Sequence, residues 1–156
     1  MLEIEIPGFG PVRLAHLVSD FTGTLSVDGE LLPGLGERLK RIAALMTIHI
    51  LTADTFGRAR EALQAVDCRI KILTGEAHDV QKEVFVRELG PEQVVAFGNG
   101  NNDRLMLKLA KIGIAVSEAE GCAVAALLNA DIHVGRAVDG LDLLLNPKRC
   151  KATLRF

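Results

Sequence analysis

The sequence predicts an α/β protein built on a parallel β-sheet, with helices on both faces and β-hairpins as extensions. Two observations predict this class. Short β-rich runs alternate with segments whose apolar residues recur at helical spacing, and 15 glycines spread along the chain suit many tight turns between strands and helices. Strands that alternate with helices in this way form parallel sheets that are covered on both sides. We therefore expect a three-layer, doubly wound sheet with its ligand site at the carboxyl ends of the strands.

The first part of the chain predicts two β-hairpins. Apolar residues alternate with glutamates over 2–6, which is the period of a half-buried strand, and a more apolar strand follows over 12–18 after a break rich in Pro and Gly. A second, smaller hairpin is predicted at 26–32, where an Asp-Gly pair separates two short apolar runs.

After these hairpins the pattern becomes regular. Helices and strands alternate until Asn146 and Pro147, which are expected to end the terminal helix. The predicted helices cover 35–46, 56–66, 80–89, 105–109, 123–128 and 138–145, and the strands cover 47–51, 70–73, 94–97, 112–116 and 132–134. With no linker or low-complexity tract, we expect residues 1–156 to form a single domain.

The composition narrows the possible partners. Hydrophobic residues make up 49% and charged residues 24%, the balance of an ordinary globular protein. Eighteen Lys and Arg against 20 Asp and Glu, with no Trp or Tyr, predict no nucleic-acid partner. No apolar run approaches the roughly 20 residues that span a bilayer, and the first residues do not resemble a signal peptide. We expect no membrane contact, a cytoplasmic location and three reduced cysteines.

Polar residues follow three of the predicted strands. The segment DFTGTL at 20–25 follows the strand over 12–18, Thr52 follows the strand over 47–51, and GNGNND occupies 98–103. Lys82 lies near the start of a predicted helix. Since the carboxyl ends of parallel strands meet at one edge, two carboxylates, a hydroxyl and an ammonium group would gather there, a set suited to phosphoryl chemistry. The alternative for Asp20 is a turn residue that only caps backbone amides.

These four segments, in this order, resemble the motifs of the haloacid dehalogenase superfamily of phosphohydrolases. The first and last are also similar to the DKTGTL and GDGVND motifs of P-type ATPases. Without a membrane-spanning stretch, the chain resembles the soluble P-type-ATPase-like phosphatases, and the resemblance covers nearly all of the sequence after the first hairpin.

The resemblance implies a Mg²⁺-dependent phosphatase in which Asp20 attacks phosphorus and forms an aspartyl-phosphate. It also implies three overlapping sets of site residues. The catalytic residues would be Asp20, Thr22, Thr52 and Lys82; the phosphate would be bound by Gly23, Thr24, Thr52 and Lys82; the Mg²⁺ ligands would be Asp20, the Thr22 carbonyl, Asn99 and Asp103.

Two positions depart from the family pattern. Thr22 stands where typical phosphatases of the superfamily carry a second Asp that acts as general acid and base. Since Thr does not titrate near neutral pH, we expect slow hydrolysis or a phosphoenzyme that persists. Asn99 stands where the GDG motif has Asp, so we expect weaker binding of the cation; Asn at this position also suits a simple turn.

The intervals 21–51 and 53–81 are too short for the cap domains that many members of the superfamily insert there. An open site predicts a small phosphorylated substrate or a phosphoprotein as partner, and a homo-oligomer that shields the site. The alternative to an enzyme is a barely active regulatory module that accepts phosphate or binds a ligand.

Overall fold

The computed structural model describes residues 1–54 and 57–156. Its strands and helices follow one another in nearly the predicted order. The strands are β1 (Leu2–Ile6), β2 (Gly10–Leu14), β3 (His16–Ser19), β4 (Ser26–Val27), β5 (Glu30–Leu31), β6 (Thr47–Thr52), β7 (Arg69–Ile72), β8 (Val94–Gly98), β9 (Ile112–Val116) and β10 (Ile132–Val134). The helices are α1 (Leu35–Ala43), α2 (Ala59–Ala62), α3 (His78–Leu89), α4 (Arg104–Leu109), α5 (Val124–Leu128), α6 (Ala137–Leu145) and α7 (Pro147–Leu154). Single turns of 3₁₀-helix cover Pro91–Gln93 and Asn101–Asp103.

Six parallel strands form the central sheet, in the order β10-β9-β8-β3-β6-β7. Side chains of successive strand residues point to opposite faces, and two separate apolar clusters result. Leu17 lies in one cluster with Leu141 of α6, whereas Val18 lies in the other with Val86 of α3. The prediction of a three-layer, doubly wound α/β fold is confirmed.

The strand order places one edge of the sheet where a ligand site is expected. From β3 the chain runs outward through β6 and β7, then returns to the other side of β3 and runs through β8 and β9 to β10. In open α/β sheets, ligands bind at the carboxyl ends of the strands where this change of direction occurs. Here the change falls between β3 and β8, directly before Asp20 and Asn99.

The N-terminal hairpin differs from the prediction in one respect. The strand expected over 12–18 is interrupted at Ala15, so that β2 pairs with β1 in its own small sheet and β3 begins the central sheet. The amide of Ala15 donates to the carbonyl of Gln93, and its carbonyl accepts from the amide of Thr47. Ala15 thus joins the strand ends on both sides of β3, and the chain bends there because its hydrogen-bond partners change. The hairpin of β4 and β5 is found where it was predicted.

Two further elements differ from the sequence expectation. The helix predicted over 56–66 is reduced to Ala59–Ala62, and its first predicted residue, Phe56, lies outside the described residues. At the other end, α6 stops at Leu145 as expected, but Pro147 begins a helix that was not predicted. Proline suits the first turn of a helix because its missing amide has no intrahelical partner there. None of the helices in the described part of the chain combines the length and the apolar character needed to cross a bilayer.

Candidate active site

A buried cluster of three charges lies at the carboxyl edge of the sheet. Lys82 reaches from α3 beneath the end of β3, and its Nζ lies 3.0 Å from Asp20 Oδ1 and 2.6 Å from Asp103 Oδ1. Lys82 is 1% exposed, Asp20 6% and Asp103 not at all. Three residues 62 and 21 positions apart along the chain are therefore joined by direct ion pairs, as the sequence motifs predicted.

The cluster carries one more negative than positive charge, and this imbalance affects Asp20. Burial raises the pKa of Asp20, the nearby Asp103 carboxylate raises it further, and Lys82 only partly offsets both, so that the pKa lies at about 7 instead of 3.8. Burial works against the charged form of Lys82, but the two carboxylates outweigh it and raise the pKa of this ammonium group. Asp20 is thus a carboxylate that lacks sufficient positive charge around it.

Asp103 is held from both ends. Its Oδ1 accepts from Lys82, while its Oδ2 accepts the backbone amides of Asn99 at 3.0 Å and Gly100 at 2.9 Å. The backbone at Gly98 passes very close to this side chain. A Cβ placed on Gly98 would lie 2.4 Å from the Asp103 Cβ, so there is no room for a side chain at position 98. Asp103 is fully buried and both of its carboxylate oxygens accept hydrogen bonds, and its role as a direct ligand of a cation stays a prediction.

An open cleft of about 230 Å³ lies directly above Asp20. Four of the residues that the sequence singled out border it: Asp20, Thr22, Thr52 and Asn99. The sequence analysis missed three others, which are Ala53, Gly100 and Asn102. Each of these directly follows or closely neighbours a predicted site residue at a strand end, so their position along the chain was the available signal.

Thr52 ends β6 and is almost completely buried at the floor of the cleft. Its Oγ1 accepts the amide of Asp54 at 3.0 Å, which leaves the hydroxyl proton free to donate. The Asp54 carboxylate accepts the amide of Ala59, the first residue of α2, at 3.0 Å. Asp54 therefore satisfies the first backbone amide of α2, which has no partner within the helix.

The turn after Asp20 corrects one prediction. The amides of Gly23 and Thr24, which were expected to bind phosphate, donate within the turn to the carbonyls of Ser26 at 2.9 Å and Phe21 at 3.2 Å. They are therefore occupied. The Phe21 backbone instead donates a hydrogen bond to the Asp20 carboxylate, which lowers the pKa of Asp20.

The donor set of the cleft suits a hard divalent cation. Carboxylate, amide and carbonyl oxygens from Asp20, Asn99 and Thr22 are the ligand types that Mg²⁺ takes, with waters in the remaining positions. The deficit of positive charge at Asp20 gives such a cation an electrostatic reason to bind. Within residues 1–54 and 57–156, no three His, Cys, Asp or Glu side chains are grouped to hold a metal. Such a cation would have the Asp20 carboxylate and otherwise neutral oxygens and water, which predicts modest affinity.

The fold and the site together define a class of α/β protein with a buried aspartate–lysine–aspartate cluster at a topological switch point of the sheet. A sequence model described as haloacid dehalogenase-like hydrolase matches residues 77–129. An uncharacterized protein of Methanocaldococcus jannaschii, MJ0073, is 47% identical over 73 residues, which are 47% of this chain and 78% of that protein. The chain belongs to the haloacid dehalogenase-like hydrolases.

Solved structures of this superfamily share the fold. The cobalt-bound deoxy-D-mannose-octulosonate 8-phosphate phosphatase of Haemophilus influenzae superposes with a TM-score of 0.66 at 14% identity, over 88% of this chain and 90% of that one. The 3-deoxy-D-manno-octulosonate 8-phosphate phosphatase of Moraxella catarrhalis, in complex with magnesium, phosphate and KDO, gives a TM-score of 0.57 at 16% identity, over 85% and 86% of the two chains. At these identities the likeness establishes the fold.

Proposed function

We propose that this chain is a divalent-metal-dependent phosphohydrolase that works through a phosphorylated Asp20. The observation that carries this proposal is the pair of contacts from Lys82 to Asp20 and Asp103 at the base of an open cleft. A buried lysine between two carboxylates fixes the position of Asp20 and keeps part of its charge neutralised, which a merely capping aspartate would not need. Metal-bound relatives of the same fold, with cobalt or magnesium, support the cation.

The chemistry requires two displacements at phosphorus. In the first, an oxygen of Asp20 forms a bond to phosphorus while the bond to the leaving oxygen breaks, and that oxygen takes up a proton. In the second, water attacks phosphorus, inorganic phosphate leaves and the Asp20 carboxylate is restored. A bound Mg²⁺ would neutralise the charge between carboxylate and phosphate.

The side chains around Asp20 have definite tasks in this scheme. The free hydroxyl proton of Thr52 can donate to a phosphoryl oxygen, since its oxygen is already fixed by Asp54. Lys82 has three N–H groups and uses two of them on carboxylates, so a third remains for the transferred group. Asp103 acts through Lys82 and through the two amides that it holds.

Thr22 determines the rate of hydrolysis that we expect. It borders the cleft two residues after the nucleophile, where an acid and base would serve the leaving oxygen and the attacking water. A hydroxyl cannot fill this role near neutral pH, and general acid–base catalysis commonly contributes ~10²–10⁴-fold. We therefore expect slow turnover that favours good leaving groups, such as acyl or aryl phosphates.

The test is hydrolysis of p-nitrophenyl phosphate with Mg²⁺, comparing the wild type with Asp20→Asn. We expect the variant to fold and to lose turnover and phosphoenzyme, which mass spectrometry detects as an added phosphoryl group on the peptide that contains Asp20. Asp67→Asn, a change at an exposed carboxylate far along the chain, is the control. Equal rates for the wild type and Asp20→Asn would reject Asp20 as the nucleophile.

A second function is favoured by Thr22 specifically. Without a group to activate water, phospho-Asp20 would persist, and the chain would then serve as a regulatory module that accepts phosphate. One p-nitrophenol released per chain, with the phosphoryl group retained on Asp20 and no further release, supports this function, whereas continued turnover supports the enzyme.

The openness of the cleft supports two kinds of partner. The interval between Asp20 and Thr52 holds the β4–β5 hairpin, α1 and most of β6, and that between Thr52 and Lys82 holds α2, β7 and the start of α3 among the described residues. A small phosphorylated molecule or a phosphoprotein side chain can reach such a site. A homo-oligomer and a cytoplasmic location remain predictions.

A further inference from the structure

Asn99 connects two loops that meet at the cleft. Its Oδ1 accepts the hydroxyl of Thr24 at 3.1 Å, and its Nδ2 donates to the carbonyl of Gly121 at 3.0 Å. Its own backbone carbonyl accepts the amide of Ala123 at 2.7 Å. The side chain thus ties the loop after Asp20 to the segment 117–123, which we call the 117–123 loop and which follows β9.

These contacts fix which end of the amide faces which partner. The carbonyl of Gly121 can only accept, so Nδ2 must point toward it. In the reversed orientation two oxygens would face each other at 3.0 Å. Oδ1 is therefore held on the side of Thr24, where Asn99 borders the cleft beside Asp20.

Gly23 leaves the space that this amide occupies. Its φ of +77° lies in the left-handed region that favours glycine, and a Cβ placed on it would lie 2.5 Å from Asn99 Nδ2. A side chain at position 23 would push the amide away from Gly121. Gly23 is therefore needed at this position so that the Asn99 amide can reach Gly121.

The 117–123 loop carries contacts to two other parts of the molecule. The Glu120 carboxylate accepts the amide of Asp28 at 3.2 Å, at the tip of the β4–β5 hairpin. The Glu118 carboxylate accepts the amide of Ala137 at 2.6 Å, at the first residue of α6. The loop therefore links the rim of the cleft to the hairpin and to α6.

We propose that Asn99 is a positioning residue whose donor end is required as much as its acceptor end. Nδ2 holds the 117–123 loop against the site, and this contact in turn keeps Oδ1 turned toward a cation in the cleft. Aspartate at this position would add a charge but would set a carboxylate oxygen against the Gly121 carbonyl, so it could not hold the loop. The part that concerns the cation rests on the proposed function; the part that concerns the loop does not.

The first experiment measures amide hydrogen exchange in the metal-free protein at Gly121 and Ala123, whose amides are bonded to Glu118 and Asn99. We expect Asn99→Asp to speed exchange there on the order of tenfold, with Val95 in the sheet unchanged. Asn102→Asp is the matched control, because it adds the same charge to the same cleft, and we expect it to leave both amides at the wild-type rate. Wild-type exchange in Asn99→Asp would overturn the proposal.

The second experiment tests orientation through Thr24, which also covers the case in which Asn99→Asp fails to fold. The dissociation constant of Mg²⁺ is derived from the rise of Tm with Mg²⁺ concentration for Thr24→Val and Thr24→Ser. We expect Thr24→Val to raise this constant about fivefold, the loss of one hydrogen bond, and Thr24→Ser to restore the wild-type value. An unchanged constant in Thr24→Val would overturn the orienting role.

These outcomes separate from those of the proposed function. If exchange at the loop responds as expected but no phosphate ester is hydrolysed, the enzyme proposal fails alone. If Asp20→Asn abolishes turnover while exchange in Asn99→Asp matches the wild type, the inference on Asn99 fails alone.

Discussion

At the scale of single residues, the site is defined by charges that do not cancel. Two buried carboxylates share one ammonium group, and Asp20, the member nearest the cleft, has its pKa raised to about 7 by burial and by Asp103. A folded protein holds such a group at a cost to stability, and functional sites commonly carry this cost. The same imbalance that disfavours ionised Asp20 favours a cation beside it.

The first prediction follows from this pKa. Since the pKa of Asp20 is higher in the folded protein than its ordinary 3.8, folding favours the protonated form. The contribution of Asp20 to the free energy of unfolding of the metal-free protein is therefore most favourable below pH 4. It becomes less favourable as the pH rises from about 4 to about 7. Asp20→Asn removes this loss, so in EDTA at pH 8 the variant should be more stable than the wild type by on the order of 2 kcal/mol.

Urea denaturation at pH 8 and at pH 4.5 measures this difference. The advantage of Asp20→Asn should shrink toward zero at the lower pH, and Asp67→Asn, at an exposed position, should show no such change. A variant that is less stable than the wild type at pH 8 would show that Lys82 fully neutralises Asp20.

A second prediction concerns Thr22. Thr22→Asp places a titratable group beside the cleft, where it can protonate the leaving oxygen and then activate water. We expect phosphoenzyme to decay roughly 10–100-fold faster. Asparagine has nearly the same shape as aspartate but does not titrate, so Thr22→Asn should not speed the decay of the phosphoenzyme. Equal rates for both variants would mean that a different group or solvent already performs this step.

At the scale of elements, α1 and α6 are joined by a two-pronged ion pair. Arg38 Nε lies 2.7 Å from Asp142 Oδ1, and Nη2 lies 3.0 Å from Oδ2, with both side chains about a quarter exposed. The hydrogen bonds from Arg38 lower the pKa of Asp142, against a smaller opposing effect of burial, and Arg149 and Arg41 lower it further. Paired geometry of this kind is stronger than an ordinary surface contact.

The third prediction is the free energy of this contact. A double-mutant cycle with Arg38→Met and Asp142→Asn should give a coupling of about 1 kcal/mol at pH 7. Because the pKa of Asp142 is lowered on folding, the contribution is present above 3.8 and is lost as the pH falls below it. The exposed pair of Arg87 and Glu83 is the comparison, and its coupling should be smaller. Equal couplings would contradict the role assigned to the paired geometry.

The elements also show how much of the fold can be predicted from the sequence. Strand β9 matched its predicted range because its run of small and β-branched residues favours a strand. The edge of the sheet that holds the site was predictable because polar residues follow three apolar runs. The end of β2 and the start of α7 were not predictable in the same way. Ala15 changes partners only because Gln93 and Thr47 lie beside it in the folded chain, and Pro147 suits both the end of one helix and the first turn of another.

The site shows the same division. Asp20 and Lys82 could be predicted from local motifs. The occupied amides of Gly23 and Thr24 and the buried position of Asp103 depend instead on how the turns close. The contact of Asn99 with Gly121 joins loops after different strands, so no local pattern in the sequence specifies it.

At the scale of the whole molecule, the chain combines an open cleft with few charged oxygens for the proposed cation. A ligand that binds only the folded state raises its stability by RT ln(1 + c/Kd), where c is the free concentration of the ligand. The cleft offers one carboxylate and neutral oxygens among the described residues, so binding of Mg²⁺ should saturate only at millimolar concentrations.

The fourth prediction is the resulting thermal shift. With a Kd of about 1 mM, 10 mM Mg²⁺ would stabilise the fold by ~1.4 kcal/mol, a rise in Tm of roughly 4 °C for a chain of this length. Asp20→Asn should remove most of this increment even though it raises the Tm in EDTA, because it removes the only carboxylate among the described residues that border the cleft. Calorimetry across a Mg²⁺ titration of both proteins measures the two effects separately. A Tm that already rises at micromolar Mg²⁺ would instead require a second carboxylate at the cation, and Asp103 is the buried carboxylate next to Asp20 in the cluster.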